Sequence, residues 1–255
     1  MPTKTRPRRS VPARSEAAGA ERPVSAVYLT EVLSEINDGA GFLDRLSLAE
    51  INVVRRATSS RAFQVGETVF LQGDPHTGIF LIESGRVRTY YAGPSGREIT
   101  LAYWTPGHFV GGPEVFGGGP HIWSANAMEA SRLSYLPGSA IRQLVQTVPS
   151  FALCIIEGLV AKGKCYSALV QMLGTRSVTE RLAQLLLILA GAGNRASGQK
   201  MALDQRVTHE QLASIVGSTR QWVTSTLNRF QGLGLIRVER GTIIVEDPEG
   251  LRMEA

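Results

Sequence analysis

The stretch that most constrains the fold of this chain lies near its end, in residues 207–236. Two short helical patterns stand there, three residues apart, and each has its own start signal. Thr208 and Gln211 fit a capping box, in which a hydroxyl and a side-chain amide satisfy backbone donors three residues apart. Ser218 and Gln221 stand in the same relation to the second pattern. The stretch therefore predicts two helices joined by a tight turn.

Both helical patterns are apolar on one side only. The apolar positions are Leu212, Ala213 and Val216 in the first and Val223, Leu227 and Phe230 in the second, and the opposite face of the second consists of Arg220, Gln221, Thr224, Ser225 and Asn228. That face offers hydrogen-bond donors without any carboxylate, and Arg, Gln and Asn side chains bind base edges in the DNA major groove. The pattern is typical of a DNA-reading helix, with a solvated two-helix corner as the alternative.

A β-hairpin is predicted directly after the second helix. Residues 235–239 and 242–245 are rich in β-branched side chains, and Arg240 with Gly241 between them fits a tight turn. Helix, turn, helix and hairpin in this order make a winged helix, which is a far more specific signal than any of its parts. This combination favours DNA binding over the solvated corner.

Double-stranded DNA is therefore the expected partner of the winged helix. We expect Arg220 and Gln221 to read bases, with Thr224 and Ser225 close by. The residues expected near phosphates are Thr208, His209, Thr219 and Arg240.

Composition places the chain among globular proteins of about two domains, since 43% of its 255 residues are hydrophobic and 19% are charged. Cys154 and Cys165 supply neither a disulfide framework nor a zinc site, so a reducing cytoplasm is the expected location. Residues 1–19 lack the apolar run of a secretion signal, and residues 182–190 are too few to span a bilayer. We therefore expect neither secretion nor a membrane partner.

Most of the positive charge lies at the start of the chain. Residues 1–25 hold six basic and two acidic side chains, so they contribute +4 to a formal net charge of +5. Because residues 1–26 are also rich in proline and poor in apolar side chains, we predict a disordered basic tail there. An arm that adds salt-sensitive phosphate contacts is the alternative function of this tail. Ordered structure is expected from about Val27.

Between residues 63 and 136 the pattern changes from helical to strand-like. Turn-forming glycines at intervals of 12, 11 and 11 residues are Gly73, Gly85, Gly96 and Gly107. The strand-like runs are residues 79–82, 87–91, 99–104 and 132–136. This rhythm predicts an antiparallel sandwich or roll. One helix is expected before it, from the capping box of Ser47 and Glu50 to about Arg56.

A long helix is predicted after Pro149, with a seam along one side. The seam positions, spaced by three and four residues, are Leu153, Ile156, Val160, Gly163, Ser167, Val170 and Gly174. An apolar or small residue at every position favours a twin helix from a second subunit, whereas packing against the chain's own sheet is the alternative. Gly158 and Gly163 destabilise a helix interior, so they indicate a close approach or a hinge. A second helix, with its buried face at Val178, Leu182, Leu185, Leu186 and Leu189, leads through the Gly-rich residues 191–198 into the winged helix.

The order of β-roll, long helix and winged helix resembles the cyclic-AMP receptor protein and fumarate-nitrate reduction regulator (CRP/FNR) family of bacterial transcription factors, over about residues 42–250. The resemblance rests on FQVGETVFLQGD (63–74), FLIESGRVRTYY (80–91), GREITLAYWTPGHFVG (96–111), SVTERLAQLLLILA (177–190), THEQLASIVGSTRQWV (208–223) and GLIRVERGTIIVEDPEGL (234–251). It implies an α+β fold with an N-terminal antiparallel β-roll of the cyclic-nucleotide-binding, jelly-roll type. The expected divisions are a disordered tail at 1–26, a sensor roll with flanking helices at 27–148, a dimerisation helix at 149–175 and a winged helix-turn-helix domain at 176–255.

The resemblance implies a transcription regulator without enzymatic activity that binds a two-fold operator as a homodimer, with half-sites about 34 Å apart. RNA polymerase is the further partner it implies. Arg220 matches the arginine with which the family contacts a guanine, a readout worth ~1–3 kcal/mol. Gln221 and Ser225 replace a common Glu and a later Arg, so the operator should differ. Gln221 either favours adenine or is occupied in its capping box.

The sensor segment departs from the family's cyclic-nucleotide binders. In those proteins a Glu binds the ribose and an Arg just before Ser-Ala binds the phosphate, whereas Gly112 and Trp123 stand at these positions here. Ser124 fits, but no Lys or Arg occurs between Arg97 and Arg132. Backbone amides and a histidine replace a bidentate guanidinium poorly, so we expect no cyclic AMP and no cofactor. If a different ligand binds under the long helix, its expected pocket is Gly111, Gly112, Glu114, Trp123, Ser124, Tyr166 and Ser167.

Other sensor chemistries find little support in the sequence. Two cysteines are too few for an iron-sulfur cluster, and nothing marks His108 or His121 as a haem ligand. Cys154 and Cys165 share one helix face, which fits thiol sensing or, more simply, two buried apolar residues. A cupin-like metal enzyme is the alternative from another class, and it needs clustered ligands that His76, His108, His121 and Glu114 do not provide by their spacing. No metal site is predicted.

Overall fold

The structure is a computed structural model that describes residues 41–193, 201–203 and 207–255. The predicted tail of residues 1–26, the expected start of order near Val27 and most of the Gly-rich residues 191–198 lie outside the described residues. The first part of the described chain consists of α1 (Leu48–Arg56), β1 (Ser59–Phe63), β2 (Thr68–Phe70), β3 (Gly78–Ser84), β4 (Val87–Ala92), β5 (Glu98–Trp104), β6 (Phe109–Val110), β7 (Ser124–Ala127), β8 (Ser131–Pro137) and α2 (Gly138–Thr147). The second part consists of α3 (Pro149–Thr175), α4 (Val178–Gly193), β9 (Met201–Ala202), α5 (His209–Val216), α6 (Arg220–Gly232), β10 (Ile236–Glu239), β11 (Thr242–Val245) and α7 (Pro248–Met253).

The first eight strands form two four-stranded antiparallel sheets, in the orders β1-β8-β3-β6 and β2-β7-β4-β5. The predicted roll and all four predicted strand-like runs are confirmed. The sequence missed β1, β2, β6 and β7, because these strands are very short or mostly polar. Gly85 shows why a glycine punctuates the roll: its φ is 88°, and a Cβ there would lie 2.1 Å from the Ser131 Oγ atom.

Each sheet contributes apolar side chains to a shared interior. Phe63, Phe80 and Leu133 come from one sheet, and Phe70 and Trp104 come from the other. A separate core joins the outer side of the first sheet to the helices around it. The capping box that begins α1 is confirmed, since the Ser47 Oγ atom accepts from the Glu50 amide at 3.3 Å and the Glu50 carboxylate accepts from the Ser47 amide at 2.8 Å.

The long helix α3 has one buried and one exposed side. The buried side packs on the roll through Phe151, Cys154, Ile155, Lys162, Cys165, Ala168, Leu169 and Met172. The predicted seam lies on the other side, where Leu153 and Ile156 are each 54% exposed and Val170 is 68% exposed. The seam therefore does not pack against the chain's own sheet. Gly158 does mark a close approach, because a Cβ there would lie 2.4 Å from the Phe109 ring.

The helix α4 and the winged helix share one core. Leu182, Leu185 and Leu186 of α4 are buried as predicted, against Leu212 of α5 and Phe230 of α6. The predicted hairpin is formed by β10 and β11, and β9 joins them in a three-stranded sheet. In its turn Arg240 and Gly241 have φ values of 50° and 81°, which is the left-handed pair that a tight two-residue hairpin requires.

The winged helix also contacts the roll directly, through α5 and β5. The Thr100 Oγ1 and Ser214 Oγ atoms lie 3.0 Å apart in a buried hydrogen bond. Leu101 and Tyr103 of β5 pack beside this pair against the core of the winged helix. Local spacing does not predict this contact, because the partner of a hydroxyl in an alternating strand lies more than a hundred residues away.

Candidate nucleic-acid interface

The first helix of the winged helix begins and ends as its sequence predicts. The Thr208 Oγ1 atom accepts from the Gln211 amide at 3.1 Å, and the Gln211 side-chain oxygen accepts from the Thr208 amide at 2.8 Å. Gly217 then closes the helix in the left-handed conformation with a φ of 66°. The first predicted capping box is thus confirmed.

The second predicted capping box is wrong. The residue that caps α6 is Thr219, whose Oγ1 atom accepts from the Trp222 amide at 3.2 Å. Ser218 instead completes the end of α5, because its amide donates to the Ala213 carbonyl at 2.9 Å. The three-residue turn is too short for Ser218 to end one helix and cap the next. Gln221 consequently lies inside the first turn of α6, with its side chain exposed.

The outer face of α6 is polar and accessible. Arg220, Gln221, Ser225 and Asn228 are exposed, and the first turn of the helix contains no acidic residue. Backbone N–H groups at the start of a helix also attract anions such as phosphate. This face can therefore donate hydrogen bonds to a nucleic acid along its length.

Thr224 and His209 occupy a different position, between α5 and α6. The Thr224 Oγ1 atom donates to the Arg220 carbonyl at 2.9 Å and lies 2.8 Å from the His209 Nδ1 atom. Because that hydroxyl proton is used on the carbonyl, the imidazole Nδ1–H is the donor in the second contact. The pair links the two helices, and both side chains are only partly exposed.

The wing presents one basic side chain outward. Arg237 of β10 is bound by Glu246 at 2.7 Å and also by Glu239. Arg240 at the tip is exposed and has no ion pair within the described residues. A cation of this kind suits a phosphate contact.

Two further arginines, which the sequence did not single out, converge on the end of α5. Arg181 of α4 is 9% exposed, and its Nη1 atom lies 3.7 Å from where a Cβ of Gly217 would stand. The Nη2 atom of Arg97 is 3.9 Å from the same point. Burial, and then the neighbouring Arg97 charge, lower the pKa of Arg181. The carbonyl end of a helix attracts cations, so these side chains join the roll, α4 and α5 at one point.

The residues predicted for an effector pocket separate into groups. Gly111 and Gly112 lie against the His76 ring, while the Trp123 and Tyr166 rings meet with their centroids 5.5 Å apart beneath α3. The Ser124 Oγ atom accepts from the Gln72 amide at 2.9 Å, Glu114 is exposed, and Ser167 is exposed on the seam side of α3.

A pair of buried histidines lies beside Gly111 and Gly112. The rings of His76 and His121 are 4.5 Å apart, and the two side chains are only 4% and 5% exposed. Burial lowers the pKa of both histidines, so both are neutral at pH 7. The His121 Nδ1 atom contacts the Gly111 carbonyl at 3.3 Å, whereas the His76 nitrogens have no partner within the described residues. Spacing did not reveal this pair, because 45 residues separate its members.

Two kinds of site are not formed by the described residues. They contain no group of three or more His, Cys, Asp or Glu side chains placed to hold a metal ion. None of their helices combines the length and the hydrophobicity of a membrane span.

Two protein-family models match the chain on either side of α3. The cyclic nucleotide-binding domain model matches residues 60–148, which include the roll and α2. The Crp-like helix-turn-helix domain model matches residues 180–254.

Curated relatives and solved structures agree with these matches. The CRP-like cAMP-activated global transcriptional regulator of Mycobacterium tuberculosis is 26% identical over 223 residues, which cover 88% of this chain and 100% of that protein. The global nitrogen regulator of Synechococcus elongatus is 26% identical over 194 residues, covering 75% and 87%. The fold is similar to that of the c-di-GMP responsive global regulator CLP of Xanthomonas campestris, with a TM-score of 0.70 at 22% identity over 78% of this chain and 99% of that one.

The Mycobacterium tuberculosis relative is named as a transcriptional regulator, and both curated relatives match at least 75% of this chain. Because the two family matches bracket a long helix in a fold of this kind, the chain belongs to the CRP/FNR family of DNA-binding transcription regulators.

Proposed function

We propose that the protein is a homodimeric regulator that reads a two-fold symmetric operator through α6 and is not controlled by cyclic AMP. The observation that carries the proposal is the exposed, donor-rich face of α6, which has no carboxylate to repel DNA. The proposed setting is the cytoplasm, with RNA polymerase as a further partner.

The exposed seam of α3 supports the homodimer. Leu153, Ile156 and Val160 are each at least 50% exposed, and they follow one another along a single helix face. Full burial of such a side chain is worth ~1.5–3 kcal/mol, and a symmetric dimer buries every seam residue twice. A second copy of α3 is therefore the partner that this face fits best.

We assign base reading to Arg220 and Gln221, with Ser225 nearby. Thr219 caps α6, which leaves the Gln221 amide available for a bidentate contact with adenine. Thr208 and Thr219 stand at the starts of α5 and α6, where phosphates bind well, and Arg240 extends the contact to the wing. His209 and Thr224 support this surface by holding the two helices together.

The contents of the roll argue against cyclic AMP. The position of the family's phosphate-binding arginine holds Trp123, which packs against Tyr166. The nearby imidazoles of His76 and His121 are buried, and their lowered pKa values keep them uncharged at pH 7. These two imidazoles therefore offer a phosphate anion no positive charge in exchange for its lost hydration. The Mycobacterium tuberculosis relative is named as cAMP-activated. We do not propose activation by cyclic AMP for this chain, because Gly112 and Trp123 stand at the positions of the family's ribose-binding Glu and phosphate-binding Arg.

Selection of bound duplexes from a random pool, with and without cyclic AMP at one fixed salt concentration, tests the proposal. We expect the same two-fold symmetric site in both arms, and we expect the Arg220→Ala variant to lose selectivity for it. Recovery of a site only in the presence of cyclic AMP, or unchanged selectivity of the variant, would overturn the proposal.

A further inference from the structure

Lys162 is an unusual residue in the long helix because its ammonium group is buried. The side chain is 7% exposed, and the Nζ atom donates to the Phe109 carbonyl at 2.6 Å. The same atom lies 3.7 Å from the centroid of the Trp104 ring and 4.6 Å from that of Phe109. No carboxylate within the described residues forms an ion pair with it. A buried cation that lacks a counter-charge is energetically unfavourable, so an anion beside this ammonium group would stabilise its charged form.

A cavity of about 250 Å³ opens beside this ammonium group, between α3 and the turn that precedes β6. Its apolar walls include Phe42, Trp104 and Phe109. Gly158 is needed for this wall, because a Cβ there would displace the Phe109 ring. The volume lies just below the usual range for small-molecule sites, so it fits a compact ligand.

The charged groups around the cavity do not neutralise Lys162. Glu157 at the rim accepts from the Arg45 guanidinium at 2.6 Å, and Lys164 at the rim adds a second positive charge. Burial raises the pKa of the Cys165 thiol to about 11, so that neighbour is uncharged. Burial lowers the pKa of Lys162 itself to about 7, because surroundings without water disfavour the charged form of the amine.

We propose that this cavity binds a small organic anion, a carboxylate on a flat apolar body, with the carboxylate accepting from the Lys162 Nζ atom. The apolar body would pack against Trp104 and Phe42. The residues predicted for an effector pocket do not line this cavity, so it is a separate site.

The position of the site links it to the dimer seam. Val160 and Ala161 of α3 line the cavity, and Val160 is also a seam residue. A ligand bound at Lys162 would therefore contact the helix that we propose as the dimer interface. Binding of the ligand itself does not depend on that dimer or on DNA.

Calorimetric titration of the full chain with benzoate at pH 7, beside its uncharged analogue benzamide, tests the site. Loss of a charge-assisted hydrogen bond weakens binding by about ten- to a hundredfold, so we expect this loss for benzamide and for the Lys162→Met variant with benzoate. The Lys164→Met variant is the matched control, since Lys164 lies exposed at the rim, and its affinity should stay within about threefold. Equal binding of benzoate to the wild type and to Lys162→Met would overturn the proposal, as would equal binding of benzamide.

A second measurement on the unmodified sequence does not depend on how the variant folds. The chain has four lysines, Lys4, Lys162, Lys164 and Lys200, so the side-chain carbon signals of isotope-labelled lysine can be resolved by NMR. We expect the Lys162 signal to titrate near pH 7 without ligand and at least about one pH unit higher with saturating benzoate. The other titratable groups lining the cavity are His108, Cys154, Glu157 and Lys164, and Cys165 is a further neighbour of Lys162. The lysine signal separates Lys162 from all of them. An unchanged Lys162 titration, together with no heat from benzoate up to about 10 mM, would exclude the site.

Discussion

The winged helix exposes polar side chains on α6, whereas the β-roll and the helix packed on it bury several of theirs. On the outer face of α6, Arg220, Gln221, Ser225 and Asn228 are exposed. Among the described residues, the one carboxylate that pairs with a cation of this helix is that of Glu254, which binds Arg229 at 2.6 Å. His76 and His121 of the roll and Lys162 of α3, which packs on the roll, are buried, and burial lowers the pKa of each of them. The difference is that the polar face of α6 is accessible without a ligand, whereas several polar groups of the roll and of α3 are enclosed.

The largest effect is expected at the seam of α3, where we propose that a second copy of the chain packs. In the double variant Leu153→Asp, Ile156→Asp, a dimer would bring like charges together, which costs several kcal/mol. We therefore expect the dimer dissociation constant, measured by sedimentation equilibrium, to rise by at least about a hundredfold. Val53→Asp on α1 is the control, since Val53 is 45% exposed and lies off the seam. An unchanged constant in the double variant would place the dimer contact elsewhere.

The charge of Lys162 should destabilise the roll itself. Replacing a buried charged group by an apolar one can stabilise a protein by ~1–4 kcal/mol, so Lys162→Met should raise the free energy of unfolding in urea. The lysine pKa is about 7 in the folded chain and 10.5 in the reference state, so the unfolded chain binds more protons between these pH values. Wild-type stability should therefore rise with pH across this window relative to the variant, and the gain from the substitution should be largest at or below pH 7. A gain that grows with pH would show that the buried charge is not its cause.

Arg220→Ala tests whether the exposed face of α6 reads sequence. Loss of a bidentate contact with guanine should weaken operator binding by ~1–3 kcal/mol, about five- to a hundredfold, with little change in non-specific affinity. Fluorescence anisotropy at one salt concentration measures both affinities. Arg229→Ala is the matched control on the same helix, because its guanidinium is bound by Glu254. If the control lost more specificity than Arg220→Ala, the surface that reads the DNA sequence would be a different one.

The smallest effect concerns the turn between α5 and α6. Loss of an N-cap hydroxyl costs ~0.5–2 kcal/mol, so Thr219→Ala should lower the free energy of unfolding by that amount. Ser218→Ala should change it by less than about 0.5 kcal/mol, because Ser218 uses its backbone amide and not a capping side chain. Urea unfolding of both variants checks the order, and a larger loss for Ser218→Ala would restore the capping box that the sequence suggested.

Local signals in the sequence predicted the fold well. Helix caps, hairpin turns and apolar periodicity each depend on residues a few positions apart, and they located α1, α3 and the winged helix. The capping box predicted for Ser218 was wrong, because the turn between α5 and α6 is too short for one residue to end the first helix and cap the second. Contacts between distant residues were not predictable in this way. His76 meets His121, and Thr100 meets Ser214, only because the fold brings separate segments together.

The most direct test of the contrast between the two regions is the affinity of the wild-type protein for its selected operator, measured at one salt concentration with and without about 1 mM cyclic AMP. We predict equal dissociation constants, because the polar face of α6 is exposed without a ligand and Trp123 stands where the family's cyclic-nucleotide binders carry their phosphate-binding arginine. A tightening of tenfold or more by cyclic AMP would contradict the account, since it would require a functional phosphate site in the roll.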